Sequence, residues 1–189
     1  RMNEESANAL LKVMEEPPEG VLFLLTADSL AGVLPTIRSR CVSFAIAPVS
    51  PADCARYCTA HRVDKKTAAL YSELFDGHIG TVLTAARDKA RTEQVDKAME
   101  LARAAQAGDS YTAAVLLAPY EKDKAGAAAL LRDLRAVAAA GLQGSPHAPV
   151  QGQQAQRTLR LAEAAIQRLG AQVNPKIVLT VFAARLAHA

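Results

Sequence analysis

The sequence predicts a mainly α-helical chain that opens with the end of an α/β domain and continues as helices alone. Half of the 189 residues are apolar, much of that is alanine, aromatics make up 4%, and tryptophan is absent. Alanine has the highest helix propensity and lets helices approach closely. Short apolar runs of strand character occur only before Pro48. Beyond it, apolar residues recur at helical spacing between proline, glycine and capping residues.

The first helix is expected from Asn3, as N-cap, to Glu16. Ala7, Leu10, Leu11 and Met14 fall at i, i+3, i+4 and i+7 on one face. Pro17-Pro18 stops it, because proline cannot continue the hydrogen-bond ladder. Glu19-Gly20 turns the chain into Val21-Leu22-Phe23-Leu24-Leu25, an apolar run that fits a strand buried on both faces of a parallel sheet. After the stretch Leu30 to Ile37, Val42, Phe44 and Ile46 alternate as a second strand would. One helix and two strands cannot cover both faces of a parallel sheet, so residues 1–47 are expected to be the end of an α/β domain whose other strands lie upstream.

At Pro48 the texture changes. Ser50-Pro51-Ala52-Asp53 has a helix-start pattern, with the serine as N-cap, proline in the first position and an acid in the first turn. Helices are expected at about 51–60, 65–75 (capped by Asp64) and 80–91. A further set is expected at about 93–107, 110–118, 123–141, 151–170 and 175–188. Gly108-Asp109, Pro119 and Asn174-Pro175 punctuate them, and Gly144 to Pro149 reads as a mobile loop. The stripe Leu130, Leu131, Leu134 and Val137 is a packing face.

Composition excludes several functions. The formal net charge is +3, with four Lys/Arg against six Asp/Glu in residues 1–50 and no basic tract anywhere, which gives no strong electrostatic case for nucleic acid. No apolar run approaches the ~18 residues of a membrane span, and Arg1-Met2-Asn3-Glu4 does not open a signal peptide. A cytoplasmic location is expected. Cys41, Cys54 and Cys58 are too few and too oddly numbered for a disulfide framework. Cys54 and Cys58 share a helix face, and even with His61 they fall short of a closed zinc site, so no metal is expected. No Gly-rich phosphate loop precedes a Lys-Ser/Thr pair, and Glu15 and Glu16 point to different helix faces, unlike an acid–base pair. Tyr57, Tyr71, Tyr111 and Tyr120 are scattered and form no stacking platform for bases.

Two signatures remain: Ala7-Asn8-Ala9-Leu10-Leu11-Lys12-Val13-Met14-Glu15-Glu16-Pro17-Pro18, and Leu34-Pro35-Thr36-Ile37-Arg38-Ser39-Arg40-Cys41. In this order, with the strand and Thr26 between them, they resemble the clamp-loader branch of the AAA+ ATPases, which opens sliding clamps and places them on primed DNA. The resemblance covers residues 1–91 and, more loosely, a helical remainder ending near Val173-Asn174-Pro175-Lys176. It implies the end of an AAA+ α/β domain (1–47), a three-helix lid (48–91) and a helical collar for oligomerisation (92–189).

The resemblance places Thr26 at the sensor-1 position, which reads the nucleotide's γ-phosphate; the alternative is a threonine ending a strand. Ser39-Arg40-Cys41 matches the family's Ser-Arg-Cys motif, whose arginine enters the neighbouring subunit's ATP site as a finger. A permanently charged planar fork suits that task. The alternative for Arg40 is a surface or intrachain ion pair, and Arg38 reads as a structural ion pair. Gly77-His78-Ile79-Gly80-Thr81-Val82-Leu83 resembles the start of the lid helix that carries a sensor-2 arginine in ATP-hydrolysing members. Here Gly80 takes that place, and His78 reads as a surface or capping residue.

The departure at Gly80 favours a subunit of the delta-prime type, which donates a finger without hydrolysing ATP. The resemblance thus implies an accessory part of the DNA polymerase III holoenzyme that assists clamp loading in DNA replication. It implies no catalytic centre and no cofactor in this chain. Expected partners are gamma/tau- and delta-type subunits, with the sliding clamp and primed DNA reached through the assembled complex, and no membrane. Two alternatives stand beside it: a piece of a gamma/tau-type ATPase, and a free-standing helical interaction module.

Overall fold

The computed structural model of the chain describes the backbone of residues 4–27, 29–47 and 49–187, and the side chains of 10–27, 29–47 and 49–186. The chain divides into two compact units, Arg1–Ala47 and Pro48–Ala189.

In the first unit, helix α1 spans Glu4–Glu15 and ends where the proline pair forbids continuation. The expected cap at Asn3 lies outside the described residues. Leu10, Leu11 and Met14 are half-buried, while Val13 faces solvent. A single 3-10 turn covers Leu30–Gly32, capped by the Ser29 hydroxyl, which accepts from the Ala31 N–H at 3.2 Å. Helix α2 is one turn, Pro35–Arg38, started by proline in its first position. It packs on α1 and carries Ile37, which is 2% exposed.

The two expected strands are a correction. Neither Val21–Leu25 nor Val42–Ile46 is a strand, and no strand occurs among the described residues. Leu22 is 90% exposed and Ile46 94%, so these apolar segments run without a partner. A helix satisfies its own backbone, but a strand exists only when a neighbour accepts its N–H groups and donates to its carbonyls. Strand-like composition alone cannot supply that neighbour.

The second unit is all helical: α3 Pro51–Ala60, α4 Lys65–Leu74, α5 Ile79–Arg87, α6 Lys89–Ala107, α7 Ser110–Leu117, α8 Lys124–Leu142, α9 Gly152–Gly170 and α10 Pro175–Ala187. Side-chain caps start most of them. Ser50 accepts from the Asp53 N–H, Asp64 from Lys66 and Thr67, Asp109 from Thr112, and Asp123 from Gly126. The expected helix at 80–91 ends early because Asp88, in extended conformation, caps α6 through the Ala90 and Arg91 N–H groups.

One continuous core runs from Cys54 to Leu186. Helices α8 and α9 make its most extensive pairing, and both carry fully buried alanines, among them Ala138 and Ala162. Leu130, Leu131, Leu134 and Val137 are all buried, as the stripe predicts. The segment after α8 is tied down rather than loose. Ala148 and Val150 are buried, and Gln151 donates to the Ser145 and Ala148 carbonyls at 2.8 and 2.9 Å. Gly141 permits this path, since a Cβ there would sit 1.9 Å from the Val150 carbonyl oxygen. The Ser72 and Thr158 hydroxyls are buried without a partner.

Candidate functional site

The Ser-Arg-Cys motif follows directly on helix α2, and local geometry holds the arginine. The Ser39 hydroxyl donates to the Thr36 carbonyl at 3.0 Å, and Arg40 Nη1 donates to that same carbonyl at 3.0 Å. Arg40 Nη2 forms an ion pair with Glu15 Oε1 at the end of α1. The arginine side chain is still 38% exposed. Exposed pairs contribute about 0–1 kcal/mol, so Glu15 holds the guanidinium only weakly. Cys41, the third motif residue, is a half-buried free thiol. Arg38 is exposed and has no ion partner among the described residues. Thr26 is exposed and follows an extended segment that is not a strand.

At the start of α5, Gly80 lies open: a Cβ built there meets no atom within 4 Å. A side chain could therefore leave the backbone there without a clash at its Cβ. His78 precedes the helix at the cap position, but its ring Nδ1 contacts the Phe75 carbonyl at 2.7 Å and caps nothing. Cys54 and Cys58 are fully buried on α3. Burial, and then the Cys54 neighbour, pushes the Cys58 thiol up to about 11. His61 stacks on Tyr57 at 4.0 Å, and its Nδ1 contacts the Tyr57 carbonyl at 2.8 Å. No group of three metal-ligating side chains occurs among the described residues. No helix among them is long and apolar enough to cross a membrane.

Sequence reading missed one polar node. Arg91, at the start of α6, makes a two-pronged ion pair with the buried Asp133 of α8, and Gln94 Nε2 also donates to that carboxylate at 2.8 Å. The guanidinium lies 5.7 Å above the Phe75 ring. Hydrogen bonding to Asp133 pushes the Arg91 pKa further up, so the arginine stays charged. An Asp inside an apolar helical stripe was the available signal, since a buried carboxylate needs a cation. The two residues lie 42 apart in sequence, which hid the partner.

Comparison with known proteins bears on the first unit most. The family of the DNA polymerase III delta subunit matches residues 1–50. The DNA polymerase III subunit delta′ of Haemophilus influenzae is 58% identical over 41 residues, 22% of this chain and 12% of that protein. The delta′ subunit of Pseudomonas aeruginosa is 38% identical over 86 residues, 46% of this chain and 26% of that protein. The gamma subunit from Buchnera aphidicola (Schizaphis graminum) is 40% identical over 52 residues, 28% of this chain and 14% of that protein. The chain thus spans a quarter or less of the length of most curated relatives it matches. No solved structure matches it.

Proposed function

We propose that this chain, a DNA polymerase III clamp-loader subunit of the delta-prime type, supports loading of the sliding clamp by lending Arg40 to a neighbouring subunit's ATP site. Arg40 is the observation that carries the reading. It sits in a Ser-Arg-Cys motif inside the matched segment, with its guanidinium at the surface, held by the Thr36 carbonyl and by an exchangeable pair with Glu15. A finger acts on charge that develops as the γ-phosphoryl departs, so it needs reach and permanent charge more than a fixed position before assembly.

In this reading residues 1–47 end an AAA+ α/β domain, 48–91 form the lid, and 92–189 form a collar that joins gamma/tau- and delta-type subunits in the cytoplasm. The exposed apolar segments Val21–Leu25 and Val42–Ile46 would then pair with further strands of the α/β domain. Collar assembly is supported by α7, in which Ala113 and Leu117 are buried while the large apolar side chains Tyr111 and Val115 face solvent and are available to a partner helix. Gly80 supports a member that does not read its own nucleotide.

The test is steady-state ATP hydrolysis by the complete clamp loader with primed DNA and clamp, paired with gel filtration. Arg40→Ala lowers hydrolysis while assembly persists. Single fingers contribute ~10³–10⁵ in rate, but other sites in the ring keep working, so the loss is partial. Arg40→Lys rescues little, since an ammonium lacks the planar fork. Arg38→Ala has the smaller effect, and Glu15→Gln leaves hydrolysis intact. Full activity of Arg40→Ala in an intact complex would reduce Arg40 to its ion pair with Glu15.

A further inference from the structure

A groove of about 420 Å³ lies in the second unit where the end of α4 meets α8 and α9. Its apolar lining includes Phe75, Ala136, Ala139 and Leu159. Its polar lining includes three carboxylates, Glu73, Asp76 and Glu163, against the single guanidinium of Arg135. That balance is negative on a chain whose net charge is +3. Helix ends do not set the sign. Helices α4 and α8 end at the groove, at Leu74 and Leu142, while α5 begins at it, with His78 and Thr81 in the lining. Carbonyl and N–H ends therefore oppose one another, and the carboxylates carry the charge. Glu73 is partly engaged, since one oxygen accepts from the Ser145 hydroxyl and the other lies 4.0 Å from His147 Nε2. Asp76 and Glu163 have no ion partner among the described residues.

We propose that this groove docks a lysine- or arginine-bearing amphipathic segment of a partner protein, with its apolar side on Phe75 and Leu159 and its cation on Asp76 and Glu163. The sign of the lining selects the occupant. Nucleic acid would bring phosphates against three carboxylates. A small molecule is the poorer fit, because Asp76, Arg135, Gln143 and Glu163 are exposed and leave the groove open to water. An extended or helical segment can cover such an open apolar floor while its charge stays at the rim. The inference does not rest on the clamp-loader reading, because it is argued from the lining and charge of this groove alone.

The experiment is an amide NMR titration of the full chain with a short leucine–lysine peptide, beside a leucine–glutamate peptide and a primed DNA oligonucleotide. The lysine peptide is expected to shift amides of residues 73–78, 135–143 and 159–163, while the other two leave them in place. Asp76→Asn with Glu163→Gln should weaken that binding roughly tenfold, and added salt should weaken it further. Asn suits position 76 because Asp76 has a φ of 46°, a left-handed conformation that Asp and Asn tolerate. Unchanged circular dichroism of the variant shows that the fold is kept. Shifts located elsewhere, equal binding of both peptides, absence of binding, wild-type affinity in the variant, or groove shifts with DNA would each overturn the proposal.

Discussion

In the first unit Ile37 is the only described hydrophobic side chain that is buried, whereas each helix of the second unit contributes at least one. Apolar content does not explain the contrast, for Val21–Leu25 is as apolar as any stretch of α8. The difference lies in how each element satisfies its backbone. A helix closes its own hydrogen bonds and then needs only one covered face. A segment with strand composition needs another strand before it gains regular structure at all. Helical sequence therefore folds within the chain at hand, and strand sequence waits for its neighbours.

The largest test sets the two regions against each other. Leu134→Ala, at a fully buried position, should cost about 2–5 kcal/mol in urea unfolding of the full chain. Phe44→Ser, at a position 83% exposed, should cost within about 0.5 kcal/mol. A comparable loss at both positions would mean that the first unit packs as the second does.

Next in size is the polar node inside the helical unit. Asp133→Ala leaves Arg91 charged and unpaired, and should cost about 2–3 kcal/mol. That is below the ~3–5 kcal/mol of full burial because Arg91 keeps some solvent access. Adding Arg91→Met should restore most of the loss, since an apolar pair can replace an ionic one. Failure of the double variant to recover would show that Gln94 and Phe75 depend on the guanidinium itself.

Thiols report the same contrast more gently. In the native chain at mildly alkaline pH, iodoacetamide should label Cys41 first, because Cys54 and Cys58 are buried. All three should label in urea. The raised Cys58 pKa also sets a pH window. The unfolded thiol ionises near 9.0 and the folded one near about 11, so this contribution is complete below pH 9 and is lost as pH rises through 11. Cys58→Ala should flatten the fall of the urea midpoint over that range. At the acid end, hydrogen bonds from Thr67 hold the Asp64 carboxyl below its usual value, as those from Thr112 do for Asp109. Their contributions are present above pH 3.8 and fade below it.

The smallest effect belongs to Gly80. Alanine there meets open space and should raise stability by up to about 0.5–1 kcal/mol, with thermal unfolding as the measure. Destabilisation would mean that position 80 has a contact the open geometry does not suggest.

Sequence alone determined the helices of the second unit, because caps and breakers act within a few residues. Ser50, Asp64 and Asp109 each accept from backbone N–H groups two or three positions on, and Pro17 stops α1 by its ring. The Arg40 motif was legible for a similar reason, as its residues are contiguous and their backbone turn is local. Only tertiary structure decided what lay across long separations. Glu15 is 25 residues from Arg40, Asp133 is 42 from Arg91, and Ser145 is 72 from Glu73. No periodicity encodes which carboxylate meets which cation. The strands failed for the same physical reason: their defining hydrogen bonds belong to a pair of segments, and composition describes only one of them.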